Sequence, residues 1–177
     1  MSFGEFGGLG NSGLYALLRT KRKIFVSYHH GGDRPYYDAF SRTFCDQYDV
    51  VDDNSPERRI DSDDVDYVRR RLSESHIGGS SCTIVLIGLQ TWGRKYVDWE
   101  MDVTLQKEHG LIGVLLPPTG GIVPPRLQDN VQTGYAPLYW WSQITASIDA
   151  LKHCIEAANA KPKYLINNRR ERRYRNA

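Results

Sequence analysis

Glu100 is the residue of this chain best placed to do chemistry. It lies in the stretch Thr91-Trp92-Gly93-Arg94-Lys95-Tyr96-Val97-Asp98-Trp99-Glu100-Met101, directly after the apolar run Thr83-Ile84-Val85-Leu86-Ile87-Gly88. A short apolar run bounded by glycine reads as a buried strand, and the residues after it have helical spacing. Val97, Met101 and Leu105 recur at i, i+4 and i+8, which packs that helix onto a sheet. At about 100° per residue, Glu100 falls roughly 60° from Val97 and borders the buried stripe. A carboxylate in the first turns after a strand's carboxyl end lies where open α/β sheets bind ligands. The chemistry it offers there is electrostatic, a fixed negative charge opposite a developing positive one. The plainer reading is a helix-surface acid paired with Arg94 or Lys107, an arrangement worth little.

The elements that must position this residue can be traced along the chain. Residues 1–20 carry Gly4, Gly7, Gly8, Gly10 and Gly13 with few core formers and read as a flexible leader. No strand precedes these glycines, so they are no dinucleotide fingerprint. Order is expected from Lys23 to Tyr28, then a loop at His29-His30-Gly31-Gly32. Asp33 is placed to cap a helix reaching about Gln47, with Pro35 in its first turn and Tyr37, Phe40 and Phe44 inward. Tyr48 to Val51 forms a second strand, closed by the turn cluster Asp52-Asp53-Asn54-Ser55-Pro56.

Ser62 is expected to cap the next helix. Asp63, Asp64 and Asp66 lie at its positive end, Arg69 to Arg71 at its negative end, and Gly78 stops it. Val65, Val68 and Leu72 form its inner face. The third strand and the Glu100 helix, to about His109, come next, and Leu111 to Leu116 make the fourth strand. Residues 117–137, rich in Pro and Gly, read as a long irregular connection. Leu138 to Trp141 is a short edge strand, and Ser142 caps a last helix presenting Ile144, Ile148, Leu151 and Ile155. Strands alternating with helices imply a parallel sheet covered on both sides, a three-layer, flavodoxin-like α/β fold. The expected division is leader 1–20, domain 21–160 and basic tail 161–177.

The bulk numbers agree with one ordinary globular domain: 177 residues, 40% hydrophobic and 25% charged. The formal charge of +2 is uneven. Five arginines against one glutamate fall within 169–175, so the remainder of the chain is slightly acidic and a whole-domain nucleic-acid role is disfavoured. The basic segment itself reads as a solvated, mobile end. Cys45, Cys82 and Cys154 are odd in number and widely spaced, which suits buried free thiols in a reducing compartment. No apolar stretch approaches a membrane span, and no signal-peptide pattern opens the chain, so a cytoplasmic location is expected.

Phe25, Ser27, Tyr28 and His29, with Val85, Leu86, Ile87, Gly88, Gln90, Thr91, Arg94, Tyr96, Val97, Trp99 and Glu100, carry a resemblance. The chain resembles a TIR domain, and more narrowly the TIR-like proteins of the bacterial Thoeris anti-phage system. The likeness covers roughly 23–116, with element order alone supporting the rest. Ordinary TIR domains carry Trp-Cys-x-x-Glu, whereas Tyr96 and Val97 stand in the place of Trp-Cys here.

The resemblance implies a TIR-like α/β fold and cleavage of NAD at the nicotinamide–ribose bond. NAD is then a consumed substrate rather than a cofactor, and the product is a cyclic or modified ADP-ribose signal that activates an effector. It further implies a phage-derived trigger and a homo-oligomer when active. Nicotinamide leaves neutral from a cationic pyridinium, so one carboxylate can suffice where sugar hydrolysis usually needs two. Glu100 is the catalytic candidate.

Ser27, Tyr28 and His29 end the first strand at the same crevice and are equally substrate contacts or loop residues. Gln90 and Thr91 are candidate nucleotide contacts, though Thr91 serves as well as an N-cap. Asp52 and Asp53 can line the mouth, and turn chemistry alone also explains them. Trp92 and Trp99 can stack on a nicotinamide or adenine ring, but aromatics at this spacing are more often core. Arg94 completes the set. His29 and His30 with Asp33 are adjacent in one loop, a poor metal site, so none is expected. No phosphate-cradling GxxxxGK[ST] occurs, which disfavours ATP hydrolysis. Two rivals stand beside NAD cleavage: a non-catalytic TIR scaffold, and a nucleoside deoxyribosyltransferase-like enzyme with Glu100 as nucleophile.

Overall fold

A computed structural model describes residues 21–52, 64–118 and 120–177. Five parallel strands form one sheet: β1 (Arg22–Ser27), β2 (Tyr48–Val51), β3 (Cys82–Ile87), β4 (Gly110–Leu115) and β5 (Leu138–Trp140). Their order is β2-β1-β3-β4-β5. This is the flavodoxin-like order, and it reverses between β1 and β3, where such folds open a crevice. Ser27 lies opposite Val85 at that junction.

The helices are α1 (Arg34–Phe44), α2 (Val65–Arg71, continued by a π-helical turn to His76), α3 (Lys95–Gln106), α4 (Pro125–Gln132), α5 (Trp141–Ile144) and α6 (Ile148–Asn159). Alternate strand residues divide the core between the two faces of the sheet. Ile24, Val26, Tyr28, Ile84, Leu86 and Ile112 pack with α1, α5 and α6. On the other face, Val85, Ile87 and Leu111 meet Val97, Met101 and Leu105 of α3. Phe25 meets Tyr96, Trp99 and Val103 of α3 beside Val68 and Leu72.

The stripe on α3 is as the spacing requires, but this helix has no solvent face: every residue from Lys95 to Leu105 is buried. The C-terminal segment covers its outer side. The Ala177 N–H donates to the Gly93 carbonyl at 2.9 Å, and the Trp99 indole N–H donates to the Arg173 carbonyl at 2.8 Å. Arg172 and Asn168 both donate to the Asp102 carboxylate, and Arg170 forks onto Asp129. The expectation of a mobile basic end is thus overturned. Its arginines find the acidic side chains of the body, and ion pairs backed by main-chain hydrogen bonds hold it down.

Other differences have local causes. Residues 117–137 are not wholly irregular, because Pro124-Pro125 opens α4, a place where the missing N–H costs nothing. The last helix is broken after Ile144, and Ser147, not Ser142, caps α6 by accepting from the Ala150 N–H. Ile148 is consequently exposed, while Leu151, Cys154 and Ile155 face inward. Asp64 caps α2 through the Tyr67 N–H, so the cap falls after Ser62, which lies outside the described residues. Cys45 is exposed, whereas Cys82 and Cys154 are buried as expected, and burial pushes the Cys82 thiol up to about 12. Among the described residues, no helix is long and apolar enough to cross a membrane.

Candidate active site

Glu100 and Thr104, one turn apart on α3, are polar residues between two apolar clusters. They face polar positions on the sheet. The Ser27 hydroxyl donates to the Glu100 carboxylate, and the Thr83 and Thr104 hydroxyls meet at 2.7 Å. Thr104 also donates to the Glu100 carbonyl at 2.8 Å. All four side chains are at most 1% exposed. Burying an ionisable group without partners is costly, so the seam exists because each hydroxyl has somewhere to go. It holds the Glu100 carboxylate at the carboxyl end of β1, beside the point where strand order reverses. Arg94, the alternative partner, instead binds the Gln90 side chain at 2.6 Å.

Behind the seam, a second buried group fixes the loop after β3. Thr91 accepts from the Gly88 N–H at 2.9 Å and donates to Asp33 at 2.7 Å. That use of the hydroxyl leaves Thr91 neither exposed to a ligand nor available as the cap of α3. The first N–H of α3, on Lys95, is taken by the Asn176 side chain of the C-terminal segment. Asp33 occupies the N-cap position of α1 without capping it by its side chain. Gly88 is required for this packing, since a Cβ there would lie 1.9 Å from an Asp33 carboxylate oxygen.

A pocket of about 300 Å³ opens at the carboxyl ends of β1, β3 and β4, between His29, Asp33, Tyr36, Gln90 and Pro117. His29 and Gln90 therefore share one opening. Tyr28 turns to the opposite face from Ser27, stacks on Tyr37 and donates to Asp52 at 2.7 Å. Burial, reinforced by that bond to Asp52, raises its phenol far above the ordinary range. His30 stacks on Tyr28 and approaches Asp52 at 3.5 Å. Asp53 lies outside the described residues. Trp92 and Arg94 belong to a different cavity, on the outer side of α3. Trp99 is fully buried core and offers no free ring face.

Sequence reasoning missed Asp98 and Arg126. The Arg126 guanidinium, entirely buried, forks onto both Asp98 oxygens at 2.9 and 3.1 Å and reaches Asn168 at 2.5 Å. This pair ties α3 to α4 and the C-terminal segment. The only sequence signal for it was an arginine beside Pro124-Pro125 in a stretch otherwise read as loop.

No curated protein matches the chain. The family model described as the TIR-like domain of the Thoeris protein ThsB matches residues 25–120, more than half of the chain. That span contains β3, β4, α3 and the second half of β1, with both Ser27 and Glu100. The parallel sheet, its strand order and this match together make the chain a member of the Thoeris ThsB TIR-like domain family.

Proposed function

We propose that this TIR-like domain cleaves NAD at the nicotinamide–ribose bond, with Glu100 as the catalytic carboxylate. The observation that carries the reading is the buried hydrogen bond from Ser27 to Glu100 beside the β1–β3 junction. In the step, the C–N bond pair leaves with nicotinamide and neutralises its pyridinium. Positive charge then develops on the ribose, where a carboxylate already fixed in position stabilises it without reorganising. Attack by water gives ADP-ribose; attack by a group of the same molecule gives a cyclic product. In either case the attacking group gives up its proton to solvent or a nearby base.

Ser27 orients the carboxylate, and His29 and Gln90 line the pocket that takes part of the dinucleotide. At about 300 Å³ this pocket is at the lower limit for ligand sites, which favours completion by a second copy of the chain. Glu100 has no solvent exposure, so substrate reaches it only after the residues packed around it move. That fits an enzyme silent until a phage-derived trigger acts, its nucleotide product then switching on a separate effector. Incubating the purified chain with NAD, alone and in extract from infected cells, and resolving products by mass tests the reading. Free nicotinamide with an ADP-ribose derivative supports it. Intact NAD under both conditions would leave the scaffold role in its place.

A further inference from the structure

The segment that covers α3 also builds a cavity with it. About 330 Å³ lies between Trp92, Arg94 and Asp98 on one side and Arg170, Glu171 and Arg173 on the other. Asp98 and Glu100 are two residues apart, about 200° around the helix, so this cavity opens on the side of α3 away from the Ser27–Glu100 bond.

The charges around it do not cancel. Asp98 is neutralised by Arg126, and Arg170 by Asp129. Arg94 is held by a neutral partner, the side chain and carbonyl of Gln90. Arg173 lies over the Trp92 ring, 5.7 Å from its centroid. Among the described residues neither of these two guanidiniums is paired with a carboxylate, and Glu171 is the opposing charge. Two arginine forks beside a half-buried indole match a diphosphate joined to a planar base. Arginine forks onto phosphate oxygens, and bases stack on aromatic faces.

We propose that this cavity is a binding site for a nucleoside diphosphate, separate from the Glu100 centre. The phosphates bridge Arg94 and Arg173, and the base stacks on Trp92 in place of the Arg173 guanidinium. Occupancy clamps the segment 170–173 to the start of α3, the helix that carries Glu100. The site thereby couples nucleotide concentration to the stability of that helix.

Calorimetric titration of the full chain carrying Glu100→Gln tests this without any turnover. ADP, pyrophosphate and adenosine are compared, then repeated with Arg173→Ala added. That substitution spares the main-chain bonds of residue 173 to Asp98 and Trp99, and a thermal melt verifies folding. ADP is expected to bind at least about tenfold tighter than either fragment, and Arg173→Ala to weaken it by at least about tenfold. Unchanged ADP affinity in a folded Arg173→Ala chain, or no ADP binding at millimolar concentration, would overturn the site. Pyrophosphate binding as tightly as ADP would overturn its nucleoside part. Because ADP contains no nicotinamide bond, none of these outcomes depends on whether the chain cleaves NAD.

Discussion

The Ser27 hydroxyl, at the last position of β1, donates a hydrogen bond to the carboxylate of Glu100, 73 residues further along the chain. The bond crosses from the sheet to the helix packed on it, and both partners are buried. Ser27→Ala removes the donor and leaves the packing nearly intact. A hydrogen bond to a charged group is worth about 1.5–3 kcal/mol. The turnover number for NAD is therefore expected to fall roughly tenfold or more, with little change in KM. Steady-state kinetics of the folded variant check this, and an unchanged turnover number would remove Ser27 from the site.

Arg126 is the largest buried cation of the described residues, and its forked pair with Asp98 joins three elements. Breaking such a pair from one side leaves a buried charge uncompensated, at a cost of about 3–5 kcal/mol. Arg126→Met is expected to lose about that much in urea unfolding. Adding Asp98→Asn should recover part of the loss. If the single variant matches the parent chain, the pair contributes nothing to holding α3.

The strands of the parallel sheet and the stripe of α3 could be read from the sequence because period and punctuation are local signals. Val97, Met101 and Leu105 announce which face is buried, and Gly88 announces where β3 ends. The outer face of α3 could not be read in this way. Asp98, Asp102 and the arginines near residue 170 look like solvated charges until the chain folds back and pairs them, and nothing local encodes that return. Thr91 was misjudged for a related reason: its hydroxyl serves Asp33, 58 residues away, rather than the helix it precedes. Glu100 was legible as bordering the buried stripe and Ser27 as a candidate substrate contact at the end of β1, but not the hydrogen bond that joins them across 73 residues.

Asp102 reports on the folded-back segment through pH. Burial by itself would raise its carboxyl, but hydrogen bonds from Asn168 and Arg172 and the charges of Arg126 and Arg172 outweigh that and hold it below the ordinary 3.8. A lowered carboxyl contributes stability that is complete above its unfolded value and lost as pH falls through the folded one. Arg172→Ala brings the folded value back toward 3.8. Thermal melts from neutral to strongly acidic pH should show the variant less stable at neutral pH, with a shallower acid loss, so that the two profiles converge as pH falls. Coincident profiles would mean that the segment does not dock through Asp102.

Self-association is expected to control activity, since the pocket at the carboxyl ends of β1, β3 and β4 is small for a dinucleotide. Specific activity should rise with protein concentration at fixed NAD, in step with the mass measured in solution. Constant activity per chain in a preparation that stays monomeric would rule this out.

The central claim rests on the charge of Glu100. Glu100→Gln keeps the shape and can still accept from Ser27, but it removes the anion opposite the developing ribose cation. Nicotinamide release from NAD, measured side by side for the parent chain and a variant with the same circular dichroism and melting temperature, is the most direct test. The account predicts a loss of at least about a hundredfold in the variant. Release at the parental rate by folded Glu100→Gln would contradict it.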